Sequence, residues 1–286
     1  MQPGKEIYFL ASGNEGFPKE LLQTPWAPKG LYIKGNLQQS APKVAIVGTR
    51  RATSYGRETA FRIAETLARE GVLVVSGLAL GIDSAAHEGA LAGEGATWAV
   101  LGSGLNNVWP KTNLALADSI VRKGGALISE YSPETKGQYF TFPERNRIIA
   151  GLSQLIIVIE APEKSGALIT ARLALEAGRE VAVVPADISR SNFIGSNRLL
   201  REGAHPILSP EDALYLIGKE PKEKKVSLDK LDEFAQALLQ YLEEPKSADE
   251  IILELKLEPV LLSQKLMELE LKNLVKQKGG LWHKAI

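Results

Sequence analysis

Four cations stand just beyond or just ahead of short apolar runs in this sequence: Arg50, Lys111, Arg145 and Arg147. The aromatic residues Tyr55, Trp109, Tyr139, Phe140 and Phe142 lie near them. Basic groups interleaved with rings suit single-stranded nucleic acid, where lysine and arginine hold the backbone and rings stack on splayed bases. Packing at a core or rim is the other role open to Trp109 and Phe142. The arginines are harder to place inside, because they are rarely buried without partners.

Loops rich in glycine and small hydroxyl residues accompany the cations. They read Gly48-Thr49-Arg50-Arg51-Ala52-Thr53-Ser54-Tyr55-Gly56, Ser76-Gly77-Leu78-Ala79-Leu80-Gly81-Ile82-Asp83, Gly102-Ser103-Gly104, Phe142-Pro143-Glu144-Arg145-Asn146-Arg147, and Ser165-Gly166-Ala167-Leu168-Ile169-Thr170. Glycine lets backbone N–H groups approach an anion closely. A helix amino terminus adds the positive end of its dipole. Gly48, Ser76, Gly77, Gly102, Gly104, Asn146, Ser165 and Gly166 therefore join the four cations, Trp109 and Phe142 as candidate contacts to a nucleic-acid strand. A glycine after a strand is equally the mark of a tight turn.

Catalytic groups are sparse. There is no cysteine, hence no thiol nucleophile, disulfide or thiolate metal site. His87, His205 and His283 lack metal-ligand spacing. His87 is expected at a helix cap or in solvent, and His205, before Pro206, in a turn. Asp83 reads as a helix cap. Glu160 is the best carboxylate candidate, either catalytic or buried beside an arginine. The first loop is not G-x-G-x-x-G, and no phosphate-loop lysine motif occurs. No cofactor or metal is expected.

The elements that must position these residues follow from apolar patterning. Short Val- and Ile-rich runs recur at 44–47, 72–75, 97–101, 126–129, 155–160 and 181–184. Strands buried on both faces of a parallel sheet read this way. Helical patterns fall between them at 56–70, 84–93, 113–123, 145–152 and 165–177, and Gly71, Gly95, Gly124 and Gly178 end helices as left-handed caps. The expected fold is α/β, a doubly wound Rossmann-like parallel sheet over residues 43–217. Residues 1–42 are turn-rich and read as an extended lead-in with one short strand at 31–34. Residues 218–227 are charged and read as a linker. Residues 228–286 hold three helices, the second opening with the capping box Ser247-Ala248-Asp249-Glu250, and a terminal hairpin at Gly279-Gly280. That is a small winged-helix domain.

The formal net charge of zero hides an asymmetry. All 13 arginines lie in residues 1–217, whereas residues 218–286 hold 12 lysines against 13 acids. Arginine suits bidentate phosphate recognition and stacking. The amino terminus lacks the basic and apolar regions of a signal peptide. The longest apolar stretches, near 72–82 and 148–159, fall well short of the roughly 20 residues of a bilayer span. A cytoplasmic protein with no membrane span is expected.

At these motifs the sequence resembles the DNA-processing protein A (DprA/Smf) family. The resemblance rests on Gly48-Thr49-Arg50 with Ser54-Tyr55-Gly56, the run from Ser76 to Asp83, Ala86-His87-Glu88-Gly89-Ala90-Leu91, Leu101-Gly102-Ser103-Gly104 with Trp109-Pro110, the run from Phe142 to Ser153, and Ser165-Gly166-Ala167-Leu168-Ile169-Thr170-Ala171. It covers about residues 25–217, and residues 228–286 resemble the winged-helix module often found in such proteins. The resemblance implies a recombination mediator that binds single-stranded DNA, dimerises through its Rossmann domain and loads the RecA recombinase during natural transformation, with no established turnover. It assigns backbone-phosphate contacts to Arg50 and Lys111 and neutral donors to Ser165 and Gly166. Thr49, Trp109 and Ala186 depart from the family pattern, and the loop at Ala186 is expected to be built differently. The helical domain that many members carry ahead of the Rossmann part is not expected here.

A second reading is a nucleotide-hydrolysing enzyme similar to the phosphoribohydrolases. Those resemble P-G-G-x-G-T-x-x-E where this chain reads S-G-A-L-I-T-A-R-L, with Leu168 in place of a glycine and Leu173 near the catalytic glutamate's place. That reading would rest on Glu160. The winged helix, lacking arginine, is expected to serve a protein-interaction or accessory role.

Overall fold

A computed structural model describes residues 6–37, 40–221, 231–272 and 274–284. The chain forms two units, Met1–Lys222 and Glu223–Ile286.

The first unit is built on a nine-stranded sheet. In chain order its elements are β1 (Ile7–Ala11), α1 (Lys19–Leu22), β2 (Gly30–Gly35), β3 (Lys43–Gly48), α2 (Ser54–Arg69), β4 (Leu73–Ser76), α3 (Ile82–Ala92), β5 (Thr97–Leu101), α4 (Leu114–Arg122), β6 (Ala126–Ser129), α5 (Thr141–Leu152), β7 (Leu155–Ile159), α6 (Gly166–Glu176), β8 (Glu180–Val183), α7 (Ile194–Arg201), β9 (His205–Pro206) and α8 (Asp212–Tyr215). The strand order is β1-β2-β6-β5-β4-β3-β7-β8-β9. Strands β3 to β9 run parallel, and β2 joins β6 antiparallel with β1 outside it.

Alternation along β3 explains the layers. Ala45 and Val47 point to one core, with Leu21 of α1, Ile148 and Ile149 of α5 and Ala171 of α6. Val44 and Ile46 point to the other, with Ile63 and Leu67 of α2 and Ile82 and Ala86 of α3. Both faces are covered, so the strands read as unbroken apolar runs. The Thr53 side chain accepts from the Gly56 N–H at 3.1 Å and starts α2.

The strand expected at 31–34 is β2, but the amino-terminal segment is more than an extended lead-in: it also contributes β1 and α1. Two of the five β1 residues are exposed and none is fully buried, which leaves it without a clean apolar signal. His205 and Pro206 lie in the short strand β9 rather than in a turn. Helix α5 starts at Thr141, four residues before the expected start, because Pro143 falls in the first turn, where its missing N–H is harmless. At the end of α3 the left-handed residue is Glu94, φ 59°, not Gly95. Gly95 is a glycine because a Cβ there would come within 2.7 Å of the Ala68 Cβ.

The second unit holds α9 (Glu233–Tyr241), β10 (Lys246–Ser247), α10 (Ala248–Leu255), α11 (Pro259–Leu271), β11 (Val275–Lys278) and β12 (Leu281–Lys284). Its sheet order is β10-β12-β11. Three helices around their own core with a terminal hairpin make it a winged helix. The Ser247–Glu250 capping box is formed. Asp232 caps α9, its side chain accepting from the Ala235 N–H at 2.8 Å. Residues 222–227 of the expected linker, and the expected helical start at 228–230, lie outside the described residues.

Candidate nucleic-acid interface

Strand β3 pairs with β4 on one side and β7 on the other, so the chain order reverses there. A doubly wound sheet opens a crevice at the carboxyl ends of such a strand pair. A cavity of 310 Å³ occupies this crevice. Gly48, Thr49, Arg50 and Arg51 line it from the loop after β3, and Pro162, Lys164, Ser165 and Gly166 from the loop after β7. A 70 Å³ recess continues from it, sharing Arg50, Ala79 and Arg145 and adding Trp109 and Phe142. A third hollow of 500 Å³ shares Trp109 and adds Lys111, Lys136 and Asn107. The three form one track along the carboxyl edge of the sheet.

Besides the buried Arg145, five cations line this track: Arg50, Arg51, Lys111, Lys136 and Lys164. All are exposed, and none has an ion-pair partner among the described residues. Elsewhere Arg62, Arg69 and Arg198 each pair with a glutamate four residues away on the same helix. The Arg50 guanidinium lies over the Phe142 ring, 5.3 Å from its centroid. Trp109 is 54% exposed and Tyr139 88%. Tyr139 meets Phe140 edge to face at 5.7 Å.

Ser165 caps α6, its side chain accepting from the Ala167 N–H at 3.3 Å. Gly166 differs from the other candidate glycines. A Cβ added there would meet only the Asn146 Nδ2, at 3.9 Å, so the space beside it is open. Asn146 reaches the same place and donates to the Gly166 carbonyl at 3.2 Å.

Several expected contacts turn inward instead. Arg145 is 5% exposed; its Nη1 donates to the Gly77 carbonyl at 2.6 Å and to the Val100 carbonyl. Burial lowers its pKa to about 10, partly opposed by nearby Asp83. Asp83 accepts from the Gly77 and Ala79 N–H groups at 3.1 and 3.4 Å, so it ties down the loop ahead of α3 rather than capping that helix. Burial raises the Asp83 pKa, against the lowering field of Arg145. Arg147 pairs with Glu130 and donates to the Trp26 carbonyl at 2.6 Å. Ser76 is buried and donates to the Ile46 carbonyl at 2.6 Å. A Cβ on Gly48, Gly77, Gly102 or Gly104 would come within 2.8 Å of protein atoms. Those four glycines therefore serve internal close approach. Arg145 lines the track from beneath its surface, and the guanidinium groups of both Arg145 and Arg147 are already engaged.

The other titratable candidates are also engaged. Glu160 is fully buried, with no arginine partner among the described residues; it accepts from the Thr53 N–H and Oγ1 at 2.9 and 3.1 Å and from Asn192 at 2.9 Å. It does not line the cavity. His87 is fully buried inside α3, not at a helix cap or in solvent as expected. The Thr97 hydroxyl donates to the Val74 carbonyl at 2.7 Å, so it accepts from His87 Nδ1 at 2.8 Å. Burial, and secondarily Arg145, lowers the His87 pKa to about 3. The Ala186 loop is clamped by Asn197, whose side chain bonds both the N–H and the carbonyl of Ala186.

Sequence reasoning passed over Lys136 and Lys164, and named Arg51 only as part of its loop. The usable signal was position: each is a basic residue in a loop that follows a strand.

A family model described as DNA recombination-mediator protein A matches residues 8–218, and one for the DprA winged helix domain matches residues 222–280. The chain belongs to the DNA recombination-mediator protein A family. Within the family, it is 41% identical to Protein Smf of Escherichia coli over 208 residues, covering 72% of this chain and 56% of that protein. It is 43% identical to DNA processing protein DprA of Bacillus subtilis over 187 residues, covering 65% and 63%. The chain thus spans between half and two thirds of the length of these two relatives. Among solved family structures, the Streptococcus pneumoniae DprA superposes with a TM-score of 0.69 at 39% identity, covering 73% of this chain and 74% of that one. A Helicobacter pylori DNA processing protein A, described for its single-stranded DNA binding mode, superposes with a TM-score of 0.66 at 31% identity, covering 75% and 95%.

Proposed function

We propose that this chain is a recombination mediator that binds single-stranded DNA along the track from Ser165 to Lys136. One observation carries the reading: five exposed cations without ion-pair partners among the described residues and the exposed ring of Trp109 line connected hollows on one sheet edge. Arg50, Arg51, Lys111, Lys136 and Lys164 hold phosphates; Trp109, Phe142 and Tyr139 stack on bases. Ser165, Gly166 and Asn146 supply neutral polar contacts beside the amino terminus of α6. Family membership supports the further steps: a homodimer formed through the Rossmann domain, loading of RecA onto the bound strand in natural transformation, and action in the cytoplasm. Among the described residues, no helix is long and apolar enough to cross a membrane. A hydrolytic role has less support, because the carboxylate it needs, Glu160, is held by Thr53 and Asn192 away from the cavity.

The test is a salt-titrated anisotropy series with an oligothymidylate and a duplex of equal length. Arg50→Glu and Lys111→Glu should each weaken single-strand binding strongly and flatten its salt dependence, since each phosphate contact contributes about 0.7 to the log–log slope. Wild-type affinity in both variants would remove the track as the binding site.

A further inference from the structure

The two edges of the nine-stranded sheet are finished differently. At one edge β9 is two residues long and ends on Pro206, which has no N–H to offer a further strand. Short edge strands and proline keep foreign strands off a sheet. At the other edge β1 is five residues long, Ile7-Tyr8-Phe9-Leu10-Ala11, with no charge and no proline. Its pairing with β2 runs without a skipped position from Ile7–Lys34 to Ala11–Gly30, so no bulge bends it away. Tyr8 is 44% exposed and Phe9 53%. Among the described residues, no strand lies outside β1.

The ladder fixes which groups this open edge presents. The Ser12 N–H donates to the Lys29 carbonyl at 2.9 Å, one step past the Ala11–Gly30 pair. Hydrogen-bonded and non-bonded pairs alternate along antiparallel strands. Tyr8 and Leu10 therefore bond to β2, and Ile7, Phe9 and Ala11 turn their backbone N–H groups and carbonyls outward. Among the described residues, no hydrogen bond reaches the backbone of Ile7 or Phe9 from the outer side. The Phe9 ring meets Tyr32 of β2 at 4.8 Å between centroids, so it leans away from the open edge.

We propose that β1 takes the β1 strand of a second copy of this chain, antiparallel and centred on Phe9. The occupant follows from the symmetry of the strand, because a two-fold contact pairs a patch with itself. Centring on Phe9 pairs all five residues: Ile7 with Ala11, Tyr8 with Leu10, and Phe9 with Phe9. Each Phe9 N–H donates to the other copy's Phe9 carbonyl, and each Ala11 N–H to the other copy's Ile7 carbonyl. Exposed Glu6 falls opposite Ser12, so no like charges face each other along the pair. An uncharged strand also gives a foreign partner nothing to select by charge. Strand β1 runs in the direction of β6, because both are antiparallel to β2. The pairing therefore turns the carboxyl edges of the two sheets to opposite sides, and each copy keeps its own track. The contact is separate from the DNA reading and forms without DNA.

The chain has no cysteine, so a single introduced thiol reports the contact in the full chain. Phe9→Cys should give a disulfide-linked dimer on oxidation with diamide, read on a non-reducing gel. A hydrogen-bonded antiparallel pair holds its Cα atoms about 5.5 Å apart, within disulfide reach. Tyr8→Cys should link far less, because its symmetry mate lies on the diagonal, roughly 7–8 Å away. Sedimentation mass of the unmodified chain should rise with concentration. Tyr8→Lys, which places on β1 the residue that guards natural edges, should need at least tenfold more protein to reach the same mass. Phe9→Pro removes an outward N–H and no β1–β2 bond, and should act in the same direction; Tyr8→Lys decides if Phe9→Pro lowers the melting temperature. Equal linkage of the two cysteine variants, or linkage in neither, would overturn the proposal. So would wild-type self-association in Tyr8→Lys, or a mass that does not rise with concentration, which would leave the edge to a strand of another protein. Oligothymidylate affinity should be unchanged in Tyr8→Lys, so failure of this pairing and failure of the DNA track are read separately.

Discussion

Arg50 and Phe142 come together across the track, the guanidinium carbon 5.3 Å from the ring centroid, although 92 positions separate them in the chain. The ring carries the arginine without neutralising it. Elsewhere a glutamate does that for Arg147, and two carbonyls hold Arg145. Arg50 therefore remains available to an incoming phosphate while its orientation is restricted.

A double-mutant cycle on that pair should show the coupling. Arg50→Ala and Phe142→Leu should each lower oligothymidylate affinity, with an interaction energy of about 0.5–1 kcal/mol, the scale of an exposed cation–π contact. Strict additivity would mean that Phe142 does not orient Arg50.

Gly166→Ala separates binding from folding. The added methyl has room in the free chain, and Gly166 has no left-handed φ. The melting temperature should hold or rise, consistent with a gain of about 0.4–1 kcal/mol from a less flexible unfolded chain. Single-strand affinity should nonetheless fall, because the methyl projects into the open space beside the α6 amino terminus. Full affinity with a raised melting temperature would remove that space from the interface.

Arg145→Met should act on stability first. It removes the donor to the Gly77 and Val100 carbonyls and leaves Asp83 buried without its opposing charge. Loss of one partner of a buried charge pair costs about 3–5 kcal/mol. Urea denaturation should show a shift of that order, against little change for Arg50→Ala. A stable Arg145→Met chain with weak DNA binding would return Arg145 to the contact set.

His87 sets a pH dependence. Its folded pKa is about 3, below the usual 6.5, so between those values the unfolded chain takes up a proton that the folded chain refuses. Stability is therefore retained above pH 6.5 and falls as the pH drops below it, by up to about 1.4 kcal/mol per unit. His87→Gln should flatten the slope measured by denaturation between pH 6.5 and 5. An unchanged slope would mean that other groups carry the acid response.

Much of the framework was legible as pattern. Strands β5 and β6 fall where their Val- and Ile-rich runs stop, and the Ser247–Glu250 box opens α10 as its residues require. Such signals are local: a strand buried on both faces and a helix cap are each written within a few consecutive residues. Strand β1 escaped because its burial follows no two-residue alternation, and its place depends on pairing with β2, more than 20 residues later.

The roles of the arginines belong to the tertiary structure. By itself, the sequence determined that arginines gather in the first 217 residues and that several sit at strand ends. It could not tell Arg50 from Arg145. That difference depends on whether acceptors from distant positions converge on a guanidinium: Gly77 and Val100, 68 and 45 residues away, on Arg145, and Trp26, 121 residues away, on Arg147. The glycines divide for the same reason. Gly48 is needed because the Ile159 carbonyl passes close to it, whereas Gly166 faces open space. Which backbone approaches which loop is decided only when the sheet is assembled.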